Sequence, residues 1–328
     1  MELALARKNP NLPGATPVAY SKAKILQSLD ALDGDRGAHQ RIFLMERQFQ
    51  GKIRAHIDTL PAASANFKSF NTSPFVLMFY AQSKNYTRIS EIVGDILPAK
   101  RFSSMETSAG RMMEEVALPV YGWEIVPSGM HTPNSALDGR RVEGGVLKVV
   151  TLKSGPRCLN DEMSENFADN IFAHGSTWIQ DSGAKVLDFT YGVLYGTKKQ
   201  SNKKDWHILS KLAAKLGPKN VTESPHGQWS MKFKMGMAAS SATVRVGDEW
   251  WDFLGGQSCL LEVCCALIRA CVRAGASDGA ATNYEISDLR DIVSLPAGLA
   301  GANFAILQNS QIPWLLFLLR HFCDELID

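Results

Sequence analysis

The sequence predicts an α/β fold: a mixed central β-sheet flanked by helices, with helical N- and C-terminal additions. Three observations predict it. Short apolar, β-branched runs at 142–152 and 185–196 have the length and composition of buried strands. Stretches with helical apolar spacing separate and flank those runs. At 328 residues, 45% hydrophobic and 21% charged, the chain has the apolar share of a globular protein and the length to bury most of its unfolded surface.

The first hundred residues read as mostly helical. Tyr20–Leu32 has helical apolar spacing, and Gly34 follows its end. His39–Leu60 carries Ile42, Met45, Phe49, Ile53 and Ile57 three or four residues apart, and Pro61 closes it. Pro74–Leu97 is a further helical stretch with Pro98 beyond its end. Thr107–Ile125 reads as helix, which Pro119 should kink or end.

The texture then changes. Val146, Leu147, Val149, Val150 and Leu152 follow Gly144-Gly145 as a strand buried on both faces. Asn160 or Asp161 caps a helix running to about Trp178. Lys185–Gly196 is a second strand, followed by a polar loop and a helix over Asp205–Leu216. Gln228–Met235 alternates apolar and basic residues, and Ala242–Val246 is another short strand. Trp250–Gly256 reads as core packing plus a turn, leading into a helix over Gln257–Arg273 that holds four of the six cysteines. The chain is helical again from Tyr284. No linker divides it, so a single domain over 1–328 is expected, with a helical addition over 1–100, an α/β core over 106–256 and a helical part over 257–328.

Absent motifs narrow the chemistry. There is no G-x-x-x-x-G-K-[ST] phosphate loop, no G-x-G-x-x-G after a strand, no G-x-S-x-G elbow and no H-E-x-x-H. The cysteines form no C-x-x-C pair and read as small apolar residues of a reduced, cytoplasmic protein. No apolar run reaches the ~18 residues that span a bilayer.

The informative stretch is Leu137-Asp138-Gly139-Arg140-Arg141-Val142-Glu143-Gly144-Gly145, followed by the strand Val146–Leu152 and by Lys153-Ser154-Gly155-Pro156. An acidic residue precedes a tight turn, a buried strand follows, and a lysine stands where it ends. In a two-strand unit Asp138 and Lys153 then lie close together at the strand margin. A carboxylate beside an ammonium can hold a hard cation and a phosphate. Asp138-Gly139 is also an ordinary turn dipeptide, and a strand-end lysine is ordinarily solvated.

This stretch resembles the PD-(D/E)XK nuclease superfamily, in particular the type II restriction endonucleases, over about 106–256. The resemblance implies a restriction-endonuclease-like fold, with Asp138 as the first acid and Lys153 as the lysine of the acid-x-Lys triplet. Thr151 stands at the acid position and departs from the pattern. A carboxylate from the preceding helix would compensate, with Glu115 the first candidate and Glu114 the second; Glu143 is a rival in the turn. The implied catalytic set is Asp138, Lys153, Glu115 and Thr151, and the implied Mg²⁺ ligands are Asp138, Glu115 and the Leu152 carbonyl.

The loop Thr197–Asp205 packs Lys198, Lys199, Lys203 and Lys204 around Gln200 and Asn202. Lysines suit phosphates, and the two amides suit adenine edges. Arg140 and Arg141 lie beside the expected metal site, and Lys232 and Lys234 flank Phe233 in a later strand. The formal net charge of +2 then averages a basic edge with acidic residues spread over the helical additions. The expectation is a Mg²⁺-dependent, site-specific double-strand DNA endonuclease, acting as a homodimer on a palindromic site alongside a methyltransferase of the same specificity. Two other readings stay open: a nuclease-like DNA-binding protein that has lost catalysis, which Thr151 suggests, and a small-molecule α/β enzyme with incidental lysines.

Overall fold

The computed structural model describes residues 17–60, 73–127, 136–223, 229–272 and 304–328. Two compact units make up the chain: Met1–Arg47 with Glu114–Asp328, and Gln48–Met113.

The larger unit is built on a seven-stranded sheet in the order β2-β3-β4-β5-β8-β7-β6. Its strands are β2 (Glu124–Ile125), β3 (Gly139–Glu143), β4 (Val146–Lys153), β5 (Val186–Val193), β6 (Val221–Glu223), β7 (Ser230–Met235) and β8 (Ala238–Val246). β4, β5 and β8 run parallel, and the flanking pairs are antiparallel. A mixed sheet between helices is what the apolar runs predict.

Gly144 and Gly145, with φ of 57° and 78°, form the two-residue hairpin between β3 and β4. Both positions of such a turn need positive φ, which glycine adopts without strain. The tight turn therefore lies at Gly144-Gly145, and Asp138-Gly139 opens β3 instead. β4 is buried from Val149 to Leu152, consistent with a strand covered on both faces.

Helix α5 (Asp161–Ser182) connects β4 to β5. Asn160 caps it by accepting the Met163 N–H at 2.8 Å, and Gly183 ends it at φ 69°. Helix α6 (Lys204–Leu216) packs beside it. Together they cover one sheet face, where Leu147, Val149, Leu187, Phe189, Tyr191 and Val193 meet Ala168, Ile171, Trp206 and Leu209. On the other face the register brings Leu152 beside Gly192, where a Cβ would lie 2.6 Å from both Leu152 Cδ2 and the Trp250 ring. Trp250 and Trp251 are buried on α7 (Asp248–Gly255), so the expected turn is a helix. The cysteine helix, α8 (Cys259–Cys271), buries Cys259, Cys264 and Cys265, and all six cysteines are free.

The first helix, α1 (Lys22–Asp33), starts later than its apolar spacing suggests. Ala19–Ser21 instead forms strand β1, paired in parallel with β9 (Glu325–Ile327), and Ser21 becomes the helix cap. Helix α2 (Arg36–Thr59) matches the second expected helix. Its Arg41 makes a two-pronged ion pair with the buried Glu262 of α8, at 2.6 and 2.7 Å, and Tyr121 donates to the same carboxylate.

In the smaller unit the stretch expected as one helix over Pro74–Leu97 divides into α3 (Pro74–Ser83), a 3₁₀ turn at Ile89–Ile92 and the start of α4 (Val93–Val120). Pro98 lies inside α4 rather than beyond a helix end. It costs the Gly94 carbonyl its helical donor. Pro119 does mark a boundary, since α4 stops at Val120. Ile92 and Ile96 form the buried centre, and Tyr80 and Tyr86 both donate to the Asp95 carboxylate.

Toward the C-terminus, α9 (Ile312–Leu319) is the apolar run turned into a helix with Pro313 in its first turn. Helix is expected from Tyr284 on; residues 284–303 lie outside the described residues, as do Pro61 and Gln228, while residues 304–311 form bends and turns and Glu325–Ile327 is strand β9 instead of helix. Among the described residues no single helix is long and apolar enough to cross a membrane.

Candidate active site

The β3–β4 hairpin builds the site from its open end. Asp138 immediately precedes β3. Its N–H donates to the Val150 carbonyl at 2.8 Å, and its own carbonyl accepts the Val126 N–H at 3.0 Å. The backbone of this residue is therefore held on both sides. Its side chain does what the missing strand would do, since Oδ2 accepts the Leu152 N–H at 2.6 Å. Along a strand a residue's N–H and C=O point to the same side. The Leu152 carbonyl therefore faces the margin that Asp138 occupies. Burial raises the Asp138 pKa, while the Leu152 N–H and the Lys153 charge oppose that rise.

Thr151 and Lys153 project from the α5 face of β4. The Thr151 neighbour across the ladder is Tyr191, whose ring lies 5.7 Å from that of Phe167 of α5. Lys153 Nζ lies 5.7 Å from the same Phe167 ring, a cation–π placement that holds the ammonium at the end of the strand. Lys153 is half-buried, and no carboxylate lies within ion-pair distance of it among the described residues. Thr151 is 2% exposed and donates its hydroxyl to the Ala136 carbonyl. It ties down the segment leading into Asp138. The Thr151 hydroxyl is thus engaged with backbone.

Glu114 and Glu115 are half-buried near the end of α4. Three residues on, Leu118 meets the sheet, because a Cβ on Gly139 would lie 3.0 Å from Leu118 Cδ1 and from Val150 Cγ2. On a helix Glu114 and Glu115 flank the Leu118 direction by about 40° and about 60°. Both are thus on the side of α4 that approaches the Asp138-Gly139 junction, from the face opposite Thr151 and Lys153. Among the described residues no group of three His, Cys, Asp or Glu side chains converges.

The basic residues are arranged differently from the expected open edge. Arg140 makes a two-pronged bond to Glu124, at 2.9 and 2.8 Å. Arg141 pairs with Glu143 and donates to the Tyr121 carbonyl. Glu143 also takes Lys148, so the rival acid is committed to the hairpin turn. Lys198 reaches Glu249 at 2.7 Å, and Lys204 grips both oxygens of Asp161. Lys203 donates to the Lys198 carbonyl and sits 4.9 Å from the Trp229 ring centre. Its pKa is lowered by burial. Gln200 Oε1 accepts the Thr197 N–H, and both ends of the Asn202 amide bond to backbone. Of the loop's basic residues, Lys199 is exposed and makes no ion pair among the described residues. The acids that neutralise this edge lie next to it, not only on the helical additions.

Sequence reasoning missed Phe167 and Ala136. Phe167 carries no local signal, because a core aromatic and a lysine-supporting aromatic read alike. Compared with known proteins, residues 73–215 match the family model of type II restriction endonuclease EcoO109I. No curated protein matches the chain. The matched segment contains α4, the β3–β4 hairpin, α5, β5 and all but the last residue of α6, and with them Asp138, Thr151 and Lys153. Over these residues the chain is similar to the restriction endonuclease family.

Proposed function

We propose that this protein is a type II restriction endonuclease that hydrolyses phosphodiester bonds at a specific double-stranded DNA sequence and depends on Mg²⁺. The observation that carries the proposal is the pairing of Asp138 and Lys153 at one strand margin inside the family-matched segment. The oxygen donors there suit a hard cation. Asp138 supplies a carboxylate and Leu152 a carbonyl, and Glu115 would bring a second carboxylate from α4. When bound, Mg²⁺ supplies charge neutralisation at the phosphate and acidifies a bound water.

The chain's own groups have defined tasks in this reading. The Leu152 N–H holds the Asp138 carboxyl group in one orientation. Thr151 fixes the approach to it. The Lys153 ammonium, held beside Phe167, stabilises negative charge that grows on the phosphate as water adds to phosphorus and the bond to the leaving sugar oxygen breaks, that oxygen taking the electron pair and a proton from solvent. A homodimer in the cytoplasm, working beside a methyltransferase of the same specificity, completes the proposal.

Thr151 also favours a second reading, a DNA-binding protein of this fold without catalysis, since its buried hydroxyl is no substitute for an acid. One experiment separates the two. Phage or plasmid DNA of known sequence is incubated with the protein, with and without Mg²⁺. Discrete fragments with Mg²⁺ alone support the endonuclease; binding that never yields fragments supports the second reading.

A further inference from the structure

The chain beyond Lys153 opens onto a cleft of about 650 Å³. That lies inside the roughly 300–1,000 Å³ span of ligand clefts. It sits at the carboxyl ends of the parallel pair β4–β5, where the ladder runs on through the Leu194 N–H to Lys153 carbonyl and Tyr195 N–H to Ser154 carbonyl bonds. Open α/β sheets bind ligands at this end. The lining includes Arg157, Cys158, Tyr195, Gln200, Arg320 and His321, and no Asp or Glu among the described residues.

The two arginines stand apart from the other basic residues near the hairpin. Arg157 donates Nε to the Gln200 carbonyl at 3.0 Å, and Arg320 donates one terminal nitrogen to the carbonyls of Cys323 and Asp324. These bonds aim the guanidinium groups and leave further N–H donors on each. Neither arginine has a carboxylate in ion-pair range among the described residues, whereas Arg140, Arg141, Lys198 and Lys204 each have one. The Arg320 segment is fastened to the rim. Its His321 carbonyl accepts the Gly196 N–H at 2.8 Å, and Asp324 accepts both the Val18 N–H and the Thr197 hydroxyl. Two oriented guanidinium groups, with no carboxylate in ion-pair range and no acid lining the cleft among the described residues, fit a polyanion.

We propose that Arg157 and Arg320 form a phosphate clamp that positions the DNA strand alongside Asp138 and Lys153. The clamp rests on the nuclease reading and adds to it. Arg320 lies outside the family-matched residues, so the C-terminal segment completes a DNA-contacting surface begun by the core. Both are positioning residues: they hold backbone phosphates and leave the hydrolytic step to the β3–β4 margin.

The test measures binding of the full chain to a linear plasmid fragment, without divalent metal, across a salt series. Each phosphate contact adds about 0.9 to the slope of log affinity against log salt. Arg157→Gln/Arg320→Gln should flatten that slope by about 1.8, and Arg157→Gln alone by about 0.9. Arg157→Lys and Arg320→Lys lose the fork but keep the charge, and should keep the slope. This controls for the carbonyl bonds that Arg320 makes to its own segment. In cleavage assays with Mg²⁺ the double variant should need more protein for half-maximal rate while reaching the wild-type rate at saturation. A wild-type chain without salt-dependent DNA binding overturns the nuclease reading and the clamp together. A wild-type chain that binds and cuts, beside a double variant of unchanged slope, overturns the clamp alone.

Discussion

The β3–β4 margin and the loop after β5 are both rich in charge, and they use it in opposite ways. In the loop, Lys198 and Lys204 face carboxylates, Lys203 caps a carbonyl, and the Gln200 and Asn202 side chains bond to backbone. That charge holds the chain in place. At the margin, Asp138 is partly buried with a raised pKa, and its partners are one amide N–H and the field of Lys153. Lys153 has an aromatic ring and, among the described residues, no carboxylate, where Lys198 and Lys204 have carboxylates. Charge that a fold satisfies internally serves the fold, and charge left under-compensated is available to a ligand.

The largest expected effect comes from breaking the margin. Asp138→Ala should lower Mg²⁺-dependent cleavage about a thousandfold or more, and Lys153→Met by about 10²- to 10³-fold, both with DNA affinity retained. Cleavage of plasmid by either variant at the wild-type rate would place the chemistry elsewhere. Asp138→Asn tests the direction of the Asp138 pKa shift. A carboxyl whose folded pKa is raised costs stability above that pKa and costs nothing below its ordinary value. The Asn variant keeps an acceptor for the Leu152 N–H. Without metal it should melt higher than wild type at pH 7, and the gain should vanish on acidification through the carboxylate range. Mg²⁺ should raise the melting temperature of wild type but not of this variant.

That margin was only partly legible in the sequence. β4, β5 and α5 were readable because strands buried on both faces appear as unbroken apolar runs and because Asn160 and Gly183 bracket the helix. Asp138 and Lys153 were readable by their place around such a run. Their surroundings were not. Phe167 reaches Lys153 from a helix that also has an ordinary core face, and Lys198 finds Glu249 across a fold whose pairing no local pattern encodes. The same limit explains why α4 runs through Pro98. The start of the helix was placed by short-range rules, and the tyrosines that brace it at Asp95 lie on other elements.

A middle-sized effect should follow from Thr151→Val, which keeps the shape and deletes the hydroxyl. The Ala136 carbonyl then loses its donor in a buried setting, at a cost of about 1–3 kcal/mol. Chemical denaturation measures it. Because Thr151 acts through the approach to Asp138, single-turnover cleavage should slow while DNA affinity stays near wild type. A variant with unchanged stability and rate would leave this hydroxyl without the positioning role.

The smallest effect separates the two kinds of charge inside the loop itself. Lys199 is exposed and makes no ion pair among the described residues, so Lys199→Ala should flatten the salt dependence of DNA binding by about 0.9 if DNA passes the loop. Lys204 and Asp161 neutralise one another, and removing both leaves the net charge unchanged. Lys204→Ala/Asp161→Ala should therefore leave the slope as it is, whereas Lys204→Ala alone exposes the carboxylate and weakens binding by repulsion. A paired deletion that flattens the slope as much as Lys199→Ala would mean that Lys204 trades Asp161 for a phosphate when DNA binds. The loop would then belong with the margin, as charge held in reserve for a ligand.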